Sequence, residues 1–138
     1  MCIEGRIGEG TANWRNSPRL KKGNDMFVRL YANAQNKKEA QRALNKFLHI
    51  FKPLIKEAKL LIIEPYWKIR DLYVIEIEIK AAKNDTKKTL NEVLASISDH
   101  WLEFGEPVNE WLASSTDDNC NFMLSEFNMV WKQRRVMT

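Results

Sequence analysis

The sequence predicts an α+β fold in which two amphipathic helices cover one face of an antiparallel sheet. Two apolar stripes recur at helical spacing, Ala40, Ala43, Leu44, Phe47, Leu48, Phe51 and Leu90, Val93, Leu94, Ile97, Trp101. Between them Tyr73, Ile75, Ile77 and Ile79 alternate strictly with Val74, Glu76, Glu78 and Lys80, the period of a strand with one face buried. The 138 residues suit one domain large enough to bury a core without disulfide or metal staples.

Residues 1–25 read as an irregular leader and 26–138 as the domain. Gly5, Gly8, Gly10 and Gly23 fall in the leader beside Pro18. Ile3-Glu4-Gly5-Arg6 resembles a protease-cleavage sequence appended for expression, a reading that stands level with coincidence. Trp14 is the one leader residue with reason to dock on the domain. The first strand is Met26–Ala32, bounded by Gly23-Asn24-Asp25 and Asn33. Asn36 caps the first helix with Glu39 three residues on, and Pro53 ends it. Leu60–Ile63 forms a second strand, limited by Pro65. A turn near Lys68–Asp71 leads to the alternating third strand. Asn84 or Asp85 caps the second helix, which Gly105 and Pro107 terminate. The remainder reads as a hairpin: Val108–Ala113, a polar loop over 114–121, then Phe122–Trp131 with Met123, Ser125, Phe127, Met129 and Trp131 on one face. This β-α-β-β-α-β order is that of ferredoxin-like domains, with a possible extra C-terminal strand. It leaves the second sheet face open to solvent or a partner.

Composition narrows the function classes. No apolar run reaches the ~20 residues of a membrane span, and Glu4, Arg6 and Glu9 break any signal-peptide core. Cys2 and Cys120 lack metal-ligand spacing and suit free thiols in a reducing compartment. The expected location is cytoplasmic. The net charge is +4, but Arg15, Arg19, Lys21, Lys22 and Lys132, Arg134, Arg135 sit near the ends. The body is close to neutral, which argues against a nucleic-acid binder. The third strand also lacks the aromatic motif of RNA-recognition modules and carries Glu76 and Glu78 instead.

Chemistry fails on inventory. His49 and His100 lie one on each predicted helix, and adjacent Asp99 and His100 point apart on a helix. Cys120 has Asp117 and Asp118 beside it, which disfavours a thiolate. Asp117-Asp118-Asn119 lacks the spacing of a calcium loop, and no Gly-rich phosphate loop exists. The sequence therefore predicts no catalytic residues, no metal and no cofactor. The positive clue is five tryptophans, a residue enriched at the energetic centres of protein interfaces. Trp101 belongs to a helix stripe; Tyr66, Trp67 and Trp111 are the candidate anchors.

The element order over residues 26–131 carries a resemblance, together with Pro65-Tyr66-Trp67, Asp99-His100-Trp101, Glu110-Trp111 and the aromatic last strand ending at Trp131. In these features the chain resembles the small immunity proteins of bacterial polymorphic, contact-dependent toxin systems. The resemblance implies a non-enzymatic protein that binds a cognate toxin domain and blocks it. Tyr66, Trp67 and Trp111 would anchor the contact, with Glu76, Glu78, Asp117 and Asp118 as steering charges. A ligand-sensing or RNA-binding ferredoxin-like module is the alternative.

Overall fold

The computed structural model describes residues 25–82 and 86–134. The expectations for the leader, Cys2 and the caps Asn84 and Asp85 lie outside the described residues. Among the described residues six strands form one antiparallel sheet: β1 (Asp25–Asn33), β2 (Ile55–Pro65), β3 (Leu72–Ala81), β4 (Leu102–Phe104), β5 (Glu110–Ser114) and β6 (Phe127–Arg134). Their order is β2-β3-β1-β6-β5-β4. Two helices, α1 (Lys37–Phe51) and α2 (Lys87–Ile97), pack on one face. The α+β class stands. Six strands in this order depart from the ferredoxin-like expectation, because a β4–β5 hairpin enters between α2 and the last strand.

Helix α1 begins as its sequence dictates. Asn36 Oδ1 accepts from the Glu39 N–H at 2.9 Å, and Glu39 Oε1 accepts from the Gln35 N–H at 2.8 Å. Pro53 turns the end into a short 3-10 segment (Lys52–Leu54) that feeds β2 directly. The buried face sets Phe47 against Phe51 in a stack at 4.7 Å and edge-on to Phe127 at 6.2 Å. Against these pack Val28 and Leu30 of β1, Ile75, Ile77 and Ile79 of β3, and Leu90, Leu94 and Ile97 of α2. This is the main core.

Strand β2 is longer than its apolar run. Residues 56–59 are exposed and carry no alternation. They form strand because β3 supplies a ladder on one side, with register shifts at Ile55/Glu57 and Leu60/Ile62. Tertiary pairing decided what local pattern did not.

Helix α2 starts at Thr86, whose hydroxyl accepts from the Thr89 N–H at 3.2 Å, and stops at Ile97. Trp101 therefore does not extend the helix stripe. It is half-buried against the core, and its indole N–H donates at 2.8 Å to the Leu94 carbonyl, which also accepts from the Ser98 N–H at 3.0 Å. Gly105 and Pro107 instead shape the β4–β5 turn, where Gly105 holds φ +103°.

The last strand is also shifted. Phe122 makes only an isolated bridge to Ser98, and β6 opens at Phe127. A register shift at Tyr31/Ala32 turns Phe127 toward the helices, beside Val130 and Lys132. Met129 and Trp131 point to the opposite face, and Met123 and Ser125 precede the strand, so the five residues expected on one face do not share it.

Candidate functional site

The sheet face opposite the helices is not the open surface that alternation suggested. Phe27 and Ile62 are fully buried, and Glu76 is 1% exposed. Phe27 packs with Leu61 and edge-on against Trp131 at 5.8 Å. The Arg29 guanidinium sits 5.8 Å from the Phe27 ring and 5.6 Å from the Trp131 ring, and its Nε donates to Glu76 Oε2 at 2.9 Å. Among the described residues Glu76 Oε1 has no hydrogen-bond partner. Burial pushes its carboxyl above the ordinary 4.5, and Arg29 pulls against that shift without cancelling it. Glu76 is thus an internal ion-pair member rather than an exposed steering charge. Glu78, two residues on, is only partly exposed.

Trp111 is the second reversal. It lies on the helix face of β5, 6% exposed, with the Lys132 ammonium 3.8 Å from its ring centroid. An indole already covered by core and cation has no surface left for a partner. Its strand placement was legible; which face the hairpin would turn inward was not.

Asp117 and Asp118 fall in the β5–β6 connection. Asp117 Oδ1 accepts from the Asn119 N–H at 3.0 Å, a local turn contact, and Oδ2 lies 3.5 Å from His100 Nε2. Asp99 pairs with Asn121: its carboxylate accepts from the Asn121 backbone at 2.7 Å and side chain at 3.0 Å. Those bonds hold the Asp99 carboxyl below its usual range. His49 is exposed on the outer side of α1. Cys120 is a buried free thiol with Sγ 3.1 Å from Ser98 Oγ. Among the described residues no group of three or more His, Cys, Asp or Glu is placed to share a metal, and no helix is long and apolar enough to cross a membrane.

The remaining two anchors meet at the β2–β3 turn. The Tyr66 N–H donates to the Leu72 carbonyl at 2.8 Å, closing the turn at its base. Asp71 takes φ 60°, a left-handed conformation that Asp tolerates better than most residues. Its carbonyl accepts from the Ala34 N–H at 3.1 Å, tying the turn to the β1–α1 connection. Tyr66 meets Tyr31 edge-on at 5.2 Å, and burial raises the Tyr31 hydroxyl above its ordinary 10.0. Trp67 tilts against Tyr66 at 6.2 Å and is 83% exposed. Ile69, which the sequence reading passed over, is 54% exposed on the same turn. Its signal was present: an aromatic pair and an isoleucine in a six-residue segment are more apolar than a turn requires.

One cleft of about 370 Å³ separates the start of α2 from the β4–β5 hairpin, lined by Thr86, Lys87, Glu103, Val108, Trp111 and Arg134 among others. No family model, no curated protein and no solved structure matches this chain.

Proposed function

We propose that this chain is a non-enzymatic cytoplasmic binding protein that engages a partner protein through the β2–β3 turn. Following the resemblance to immunity proteins, the partner is a toxin domain neutralised by stoichiometric contact. The exposure of Trp67 carries the reading. At 83% exposure the indole leaves on the order of 200 Å² in water, an apolar area of the kind that hot-spot tryptophans bury for ~2–4 kcal/mol of binding. Tyr66 supports it from below on Tyr31, and the backbone bonds at Leu72 and Ala34 pre-order the turn. A pre-ordered aromatic is what a binding hot spot requires.

The test is co-expression with the variable C-terminal domain of any large secreted protein encoded beside this gene. The chain should restore growth and form an equimolar complex, and Trp67→Ala should weaken both. Growth arrest with the wild-type chain present would overturn the toxin assignment. A second reading, a small-ligand module, has the α2–hairpin cleft as its observation. A small molecule retained in native mass spectrometry would favour it.

A further inference from the structure

We infer that the partner surface facing the β2–β3 turn is an apolar pocket rimmed by carboxylates, an inference that rests on the reading of this turn as the protein-binding site. The sequence had suggested the reverse polarity, with Glu76 and Glu78 as the charges meeting a partner. The structure withdraws Glu76 into an internal pair with Arg29. The turn itself carries two cations, Lys68 and Arg70, against the single carboxylate of Asp71.

Both cations are exposed, and among the described residues neither has an ion-pair partner. Lys68 Nζ stands 5.3 Å from the Trp67 ring centroid, so its charge travels with the anchor. When Trp67 enters a pocket, Lys68 and Arg70 arrive at the rim, where opposite charge accelerates association and like charge is penalised. Trp67 and Ile69 supply the apolar centre; the two cations supply orientation.

The experiment places the photocrosslinker p-benzoylphenylalanine at position 69 of the full chain, in the cell that makes it. The adduct is identified by mass spectrometry, and that protein is purified for binding by interferometry. Trp67→Ala should weaken binding by about thirtyfold or more. The double variant Lys68→Glu, Arg70→Glu should slow association by about tenfold, and wild-type affinity should fall as salt rises. Both positions are exposed, and circular dichroism confirms folding of each variant. Absence of any adduct through position 69 would overturn the binding-site reading itself. An adduct whose affinity needs Trp67 but ignores the charge reversal and salt would leave that reading standing and overturn the acidic rim. Sedimentation of the full chain with phosphatidylcholine vesicles containing phosphatidylserine, lost in Trp67→Ala, would make a lipid surface the occupant and overturn the inference.

Discussion

Trp67 and Trp111 were equivalent anchors in the sequence, and the structure predicts opposite consequences for truncating them. Trp111→Ala removes an indole that is 6% exposed. A tryptophan buries up to about 250 Å², which at ~25 cal/mol/Å² corresponds to about 6 kcal/mol. Alanine retains part of that area and neighbours relax into part of the space, so the expected loss is ~3–5 kcal/mol. Removing the ring also strips the Lys132 ammonium of the aromatic face it meets at 3.8 Å, which pushes the loss toward the upper end. Trp111→Phe keeps a ring there and should lose less. Trp67→Ala gives up only the covered sixth of a side chain that is 83% exposed, ~1 kcal/mol at most. Urea unfolding followed by far-ultraviolet circular dichroism measures both without relying on tryptophan fluorescence, and an unchanged m-value licenses the comparison. The reasoning fails if Trp111→Ala costs less than about 1 kcal/mol. It fails equally if the two truncations cost the same.

Two further outcomes follow from buried chemistry and backbone shape. The folded-state pKa of Glu76 lies above its unfolded value, so its neutral form contributes stability fully below the ordinary 4.5, and that contribution is lost as pH rises through the folded value. Against Glu76→Gln, urea midpoints of the wild type should therefore decline across that window; a relative rise would show that the Arg29 contact outweighs desolvation. Gly105→Ala should destabilise by ~1–3 kcal/mol in thermal unfolding, since φ +103° disfavours a side chain and a Cβ would stand 2.3 Å from Asn109 Oδ1 and 2.9 Å from the Pro107 carbonyl. Wild-type stability in that variant would mean the β4–β5 turn rearranges freely.

The sequence by itself determined the periodic elements. Helix α1, its cap at Asn36, its stop at Pro53 and the alternation of β3 follow from local chemistry, and the structure places them where the residues predict. It also located the β2–β3 turn with Tyr66 and Trp67. Tertiary structure decided what lay on either side of each strand. Alternation says which residues share a face; it does not say whether that face is covered. Glu76 reads as a wet position in any strand pattern and becomes internal only beside Arg29, while Trp111 reads as a surface anchor until the hairpin turns it beneath Lys132. Residues 56–59 show no strand pattern, yet β3 offers them a ladder. Trp101 keeps helical spacing past the point where Ser98 leaves the helix, and its indole closes the end instead of extending it. Pairing partners and layer contacts are long-range, so no window of neighbouring residues encodes them. Trp67 stays exposed because the turn at the sheet's end leaves its side chain little to meet among the described residues beyond the Tyr66 ring and the Lys68 ammonium.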